Sequence, residues 1–146
     1  MASIRLAREE DLPLVVGLYV DAVNDMRKRI DLPKPKLNHI KPHVYSDFQT
    51  APCFILEDDG VIGFASMCLG HHVWSSKPYL TTSMVYVKHE KRKYAILELL
   101  YKTIQEYADL QGMPYIDHYF IGGEIDERRK TLRSLNLKEH GIIIGF

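Results

Sequence analysis

The sequence has little of what marks a secreted or membrane protein. It contains only two cysteines, Cys53 and Cys68, in 146 residues. Both stand in apolar, strand-like runs, which favours two reduced core thiols over a disulfide or a metal pair. No apolar run approaches the length of a membrane span, and residues 1–5 lack the apolar core of a signal peptide. We therefore expect a cytoplasmic protein that does not insert into a membrane.

The sequence also lacks an excess of charge and most of the short motifs of known active sites. Lysine plus arginine and aspartate plus glutamate number 19 each, so no overall field favours nucleic acid. The seven histidines are scattered without the spacing of a metal site. A serine-centred elbow, a phosphate-binding Walker loop and a Cys-x-x-Cys pair are missing. We expect no metal and no nucleic-acid partner.

The chain has the size and composition of one ordinary domain with a full core. Its 146 residues are 46% apolar and 26% charged, a length at which a single core is sufficient. We therefore expect one domain over residues 1–146.

Strand and helix patterns alternate along the chain, which predicts a mixed α/β (α+β) fold. Strands are predicted at 3–6, 79–87, 113–121 and 141–146, and helices begin near 9, 91 and 124. Asp59-Gly60 between two β-rich runs predicts a hairpin over 52–69. The prolines between 25 and 50 favour a short helix plus a mobile loop there.

The junction from Val85 to Leu100 is the most informative stretch. A strand passes through a short basic turn, Lys91-Arg92-Lys93, into a long amphipathic helix. The first backbone amides of such a helix are unpaired, and the helix dipole is positive at that end. The junction therefore predicts a seat for the phosphates of a nucleotide cofactor.

This junction resembles the cofactor motif of the GCN5-related N-acetyltransferases (GNAT), Val-x-x-Glu-x-Arg-x-x-Gly-x-Gly/Ala-x-x-Leu-Leu. Aligned without a gap, Val87, Glu90, Arg92 and Leu100 fall on fixed positions of this motif, and the apolar Ile96 and Leu99 lie between them. The two small residues of the motif become Ala95 and Leu97 here. A side chain at position 97 either points away from the phosphates or fills their space, because close backbone approach is what glycine permits.

The resemblance covers the whole chain and implies a GNAT-like acyl-CoA N-acyltransferase fold, a mixed central sheet of about six strands flanked by helices. It implies that acetyl-CoA donates an acetyl group to a primary amine of a small-molecule or protein substrate, received near 25–50. The implied cofactor-binding residues are Val85, Val87, Arg92, Lys93, Tyr94, Ala95, Ile96 and Leu97.

Two departures from the family pattern keep a second hypothesis open. Leu132 stands where the family commonly has a tyrosine that protonates the leaving thiolate, and a hydrocarbon donates no proton. The chain also ends about one strand early, so the sheet is either shorter, closed differently, or completed by a homodimer partner or a partner chain. The alternative is a catalytically inactive GNAT-fold protein that serves as a binding or assembly subunit.

No general base is assigned from the sequence. The predicted strand 79–87 carries no carboxylate, although a bulge within 83–87 would expose backbone amides able to polarise a thioester carbonyl. The weak candidates for the base are His71, His72, Tyr79, Thr81, Ser83, Asp117 and His118.

Overall fold

The computed structural model describes residues 1–116. Four strands and three helices follow one another in this part of the chain: β1 Ser3–Leu6, α1 Leu12–Arg27, α2 Leu37–Thr50, β2 Cys53–Glu57, β3 Val61–His71, β4 Pro78–Val87 and α3 Tyr94–Leu110. Short 3-10 turns, Glu9–Asp11 and His89–Lys91, precede α1 and α3. The elements predicted over 117–146 lie outside the described residues, and the single domain stays a prediction.

The strands form a sheet in the order β1-β2-β3-β4, with every neighbouring pair antiparallel. The predicted hairpin joins β2 to β3, and Asp59 and Gly60 both adopt the positive φ angles, 58° and 112°, that its turn requires. Beyond β4, Leu80 pairs in parallel with Tyr115. This isolated bridge lies outside the four antiparallel strands, so the predicted mixed sheet of about six strands stays a prediction.

Helices cover both faces of the sheet. The residues that α3 buries against one face are Ile96, Leu100, Tyr101, Ile104 and Ala108, which pack with Phe54, Leu56, Met67 and Leu80. On the other face, α1 and α2 pack with Cys53, Ile55 and Phe64 through Leu12, Val15, Val16, Leu18, Ile40 and Val44. None of the helices within residues 1–116 has both the length and the apolarity to cross a membrane.

A bulge in β4 changes which side chains face which helix layer. Ser66 pairs with Met84 while Met67 pairs with Thr82, so Ser83 has no partner on β3. Leu80 and Val85 pack on the α3 side although strict alternation over five positions would separate them. The inserted residue is thus the reason that both ends of β4 serve the same core.

Two helices differ from their predicted extents. The segment predicted as a short helix and a loop contains a regular 14-residue helix, α2, with Pro42 inside it. Ile40 and Val44 are buried in the core on one face of α2, and this packing stabilises the helix despite the amide that proline lacks. Helix α3 begins at Tyr94 instead of near Lys91, because a 3-10 turn and an extended Arg92 precede it.

Candidate functional site

The N-terminus of α3 is open to solvent. Lys93, Tyr94 and Ala95 are exposed, and within residues 1–116 no side chain caps the helix. The amides of Ile96 and Leu97 both donate to the Lys93 carbonyl oxygen, at 3.0 and 3.2 Å. These two amides are therefore used within the helix, and the start of α3 offers a ligand its positive dipole end beside the exposed ammonium group of Lys93.

Leu97 points towards the sheet. Its side chain is half-buried and packs against the core cluster that α3 shares with the sheet. Ile96, one residue before it, is also buried there, with 9% exposure. Of the two possibilities that the sequence left for position 97, the structure has the side chain turned into the core.

Arg92 links the junction to the end of α1. Its Nη2 lies 2.6 Å from Asp25 Oδ2, and its Nε donates to the Val87 carbonyl oxygen at 2.7 Å. The guanidinium also lies 5.7 Å from the centre of the Tyr86 ring. The two side chains of the ion pair are only 13% and 17% exposed. Arg92 thus has a structural role, and its predicted contact with a phosphate stays a prediction.

Charges around Asp25 change its pKa. Burial acts to raise the pKa of Asp25, but the hydrogen bond from Arg92 and the positive charges of Arg92, Arg29 and Lys28 outweigh burial. The pKa therefore lies below its ordinary value, and Asp25 is ionised at neutral pH.

The remaining predicted cofactor residues contribute through different atoms. Val87 is 3% exposed, and the Val85 side chain packs against the same cluster below α3. These two valines therefore offer only backbone groups to a ligand. Lys91 approaches Asp58 at 3.5 Å, whereas Lys93 is exposed. Lys93 is consequently the better placed of these two lysines for binding an anion.

The sequence-derived candidates for the base do not form one site. His71 is exposed at the end of β3, and His72 stacks on Trp74 with ring centres 4.7 Å apart. Thr81 is 5% exposed within β4. Asp117 and His118, like Leu132, lie outside the described residues. Of these candidates, Ser83 has the most informative surroundings.

Ser83 lies in a polar cluster whose other members the sequence reasoning missed. His43 Nε2 is 2.9 Å from Ser83 Oγ and 3.2 Å from Asp47 Oδ2. Tyr19 of α1 is hydrogen bonded to Ser83, and its ring meets the His43 ring edge-on with centres 6.1 Å apart. The His43 and Asp47 spacing of four residues would have indicated this pair, had the segment been predicted as a helix.

Two neutral groups adjoin this cluster. Burial raises the pKa of Tyr19, with the hydrogen bond from Ser83 acting in the opposite direction. Burial and the charge of Asp47 also raise the pKa of Cys68. Tyr19 and Cys68 are therefore uncharged near neutral pH. No three metal-ligating side chains come together anywhere in residues 1–116.

No protein-family model matches the chain, and no curated protein matches it in sequence. Solved structures do match its fold. A predicted acetyltransferase with acetyl-CoA from Clostridium acetobutylicum superposes with a TM-score of 0.78 at 11% identity, covering 100% of this chain and 96% of the other. AAC(6')-Iy in complex with a bisubstrate analogue, CoA-S-monomethyl-acetylneamine, matches with a TM-score of 0.76 at 18% identity, covering 100% of this chain and 97% of the other.

A GNAT family acetyltransferase from Staphylococcus aureus matches with a TM-score of 0.59 at 15% identity, over 80% of this chain and 84% of the other. The protein therefore has the GNAT fold, as the resemblance implied. Identities this low establish the fold and leave the activity to be argued from the site.

Proposed function

We propose that this protein is an N-acetyltransferase that transfers an acetyl group from acetyl-CoA to a primary amine. The observation that carries the proposal is the open N-terminus of α3. Leu97, the one bulky departure from the cofactor motif, packs into the core, and Ala95 stands exposed at the other small-residue position. Backbone amides, the helix dipole and Lys93 together suit a pyrophosphate.

The bulge in β4 supplies the second requirement of the reaction. Acyl transfer from a thioester needs a donor that polarises the carbonyl oxygen as charge develops on it. Ser83 lacks a partner on β3, so its backbone departs from the regular ladder at this point. We assign the thioester carbonyl to this stretch of β4, with the amine arriving from the side of α1 and α2.

Structural neighbours support the choice of co-substrate and acceptor. One was solved with acetyl-CoA, and another is an aminoglycoside N-acetyltransferase in complex with CoA. We extend the acetyl donor and an amine acceptor to this chain, and leave the identity of the amine open.

A binding subunit without catalysis is the second candidate. Val73 and Trp74 in the β3–β4 connection are 102% and 82% exposed, and such side chains suit a contact with another protein. A homodimer or a partner chain that completes the sheet also stays a prediction. Cofactor binding separates the two candidates, because the second does not require it.

The decisive experiment is calorimetric titration of the purified protein with acetyl-CoA and with CoA. We expect micromolar affinity and a ligand-dependent rise in melting temperature. Lys93→Glu should weaken binding about tenfold, since it replaces an attractive charge at the helix start by a repulsive one. Lys34→Glu makes the same charge change at an exposed position before α2 and is expected to bind normally.

The possible results distinguish the two candidate functions. Micromolar binding that depends on Lys93 would support the proposed phosphate seat. Equal affinities for both variants would remove Lys93 from it. Absence of heat and of thermal stabilisation at millimolar acetyl-CoA would contradict the transferase and favour the binding subunit.

A further inference from the structure

The cluster of His43, Asp47, Ser83 and Tyr19 brings three elements together at one point. His43 and Asp47 are four residues apart on α2, Tyr19 belongs to α1, and Ser83 is the bulged residue of β4. His43 Nε2 contacts Ser83 Oγ at 2.9 Å and Asp47 Oδ2 at 3.2 Å. The cluster therefore lies at the strand segment to which the thioester carbonyl is assigned.

The carboxylate of Asp47 favours one position for the proton of the neutral His43 ring. Asp47 Oδ2 is buried and has no hydrogen-bond partner within residues 1–116, although His43 Nε2 lies 3.2 Å away, and the Asp47 side chain is 15% exposed. An ionised carboxylate only accepts hydrogen bonds, so the nitrogen that faces it is favoured to carry a hydrogen. Because that nitrogen is Nε2, the negative charge of Asp47 favours the neutral tautomer with its proton on Nε2 and a lone pair on Nδ1.

The arrangement is suited to a base and not to a nucleophilic triad. In a serine triad, the carboxylate and the hydroxyl bind opposite nitrogens of the ring. Here Ser83 and Asp47 approach the same nitrogen, so His43 cannot pass a proton from one to the other. Within residues 1–116 Nδ1 takes part in no hydrogen bond or ion pair, and the side chain is 52% exposed. A substrate can therefore reach this nitrogen.

We infer that His43 is the general base of this protein, with Nδ1 taking a proton from the ammonium group of the acceptor. The inference rests on the proposed acetyltransferase activity. Asp47 is a positioning residue that holds the Nε2–H tautomer and stabilises the cationic ring through its negative charge.

The acceptor ammonium loses two protons in the transfer. The ammonium gives one proton to His43 and becomes a neutral amine, whose nitrogen forms a bond to the thioester carbonyl carbon. The carbon–sulfur bond breaks, the second proton of the nitrogen goes to the thiolate, and His43 later releases its proton to solvent. The products are an N-acetyl amine, CoA and one proton.

Titratable and polar groups surround His43 on α1, α2, β3 and β4. Asp47 lies on the same helix, Tyr19 faces it from α1, Ser83 from β4, and Cys68 lies near Asp47 on β3. Burial raises the pKa of both Tyr19 and Cys68, so neither adds a charge beside His43 near pH 7.

The kinetic test measures CoA release with four amine probes: neamine, spermidine, lysine amide and phenethylamine. For any probe that is acetylated, we expect His43→Gln to lower kcat/KM about 100-fold at pH 7, with KM for acetyl-CoA unchanged. The deficit should shrink as pH rises towards 10, because free amine then forms without a base. His39→Gln, an exposed histidine one turn earlier on α2, is the matched control and should equal wild type.

A second measurement does not depend on turnover. Nitrogen-15 NMR of the histidine rings should show neutral His43 as the Nε2–H tautomer, and Asp47→Asn should shift the population towards the other tautomer. Asp47→Asn should also lower kcat/KM about tenfold. An Nδ1–H tautomer in the wild-type protein would overturn the assignment of the base.

The outcomes separate this inference from the proposed function. Wild-type turnover that survives in His43→Gln as well as in His39→Gln would overturn the base and leave the acetyltransferase standing. A protein that neither binds acetyl-CoA nor releases CoA would overturn both. If acetyl-CoA binds but none of the four amines reacts, the NMR measurement decides on the base. An Nε2–H tautomer of His43 then supports the inference, and an Nδ1–H tautomer overturns it.

Discussion

Breaking the ion pair between Asp25 and Arg92 should destabilise the fold more than removing an exposed charge does. Removal of one partner from a buried pair costs about 3–5 kcal/mol, because the other charge is left uncompensated. The side chains here keep 17% and 13% exposure, so water offsets part of that cost. We expect Asp25→Asn to lower the free energy of unfolding by about 2 kcal/mol.

The second variant of the cycle removes more. Arg92→Met also loses the hydrogen bond from Nε to the Val87 carbonyl oxygen, and a charged hydrogen bond contributes about 1.5–3 kcal/mol. We therefore expect a loss of about 3 kcal/mol for Arg92→Met. The two losses should fall short of additivity by about 1.5 kcal/mol in the double variant, since the same pair is broken in each.

Urea unfolding at pH 7 and 25 °C measures these free energies. Asp21→Asn is the matched control, since Asp21 is an exposed aspartate one turn earlier on α1, and it should change stability by less than about 0.5 kcal/mol. Equal effects of Asp25→Asn and Asp21→Asn, or a coupling below about 0.5 kcal/mol, would refute the reasoning.

The same pair predicts a pH dependence of stability. The folded-state pKa of Asp25 is lowered, so the stabilisation is complete above the unfolded pKa of about 3.9 and is lost as pH falls through the folded value. The difference in unfolding free energy between wild type and Asp25→Asn should therefore shrink below about pH 4. A difference that grows on acidification would contradict the sign of the shift.

Two further predictions concern packing and thiol chemistry. Gly63→Ala should lower the free energy of unfolding in urea by about 1–3 kcal/mol, because the added Cβ would press on the Tyr86 carbonyl oxygen and lie 3.0 Å from Val87 Cα. Gly17→Ala is the control: its Cβ would meet nothing within 4 Å, so it should not destabilise the protein. Burial, with the charges of two aspartates, raises the pKa of Cys53 to about 12. Iodoacetamide at pH 8 should therefore alkylate the partly exposed Cys68 first, as followed by mass spectrometry. Equal alkylation rates would be inconsistent with the buried position of Cys53.

Local patterns predicted much of the fold. The turn pair at Asp59-Gly60 predicted the β2–β3 hairpin, because few other dipeptides accept its positive φ angles. Apolar spacing predicted the amphipathic helix α3, which buries Ile96, Leu100 and Ile104 on one face. The pattern failed for α2, where Pro42 argues against a helix that only packing against α1 and the sheet sustains.

The candidate site was predictable only in part. The strand, basic turn and helix of the cofactor motif are contiguous, so the sequence placed them in the correct order, although the helix begins at Tyr94 and not near Lys91. It could not show that Arg92 pairs with Asp25, since 67 residues separate them. Nor could it select Ser83 among several hydroxyl groups, because its partners come from α1 and α2.

Sequence by itself determined the local elements, the GNAT-like order of the elements up to α3 and the open start of that helix. These follow from short-range periodicity, turn chemistry and capping, which involve neighbours along the chain. Tertiary structure alone decided the bulge at Ser83, the pairing of Arg92 with Asp25 and the meeting of His43 with β4. Each depends on sheet register and helix packing, which are set by contacts between distant segments and shift by a whole face when one residue is inserted.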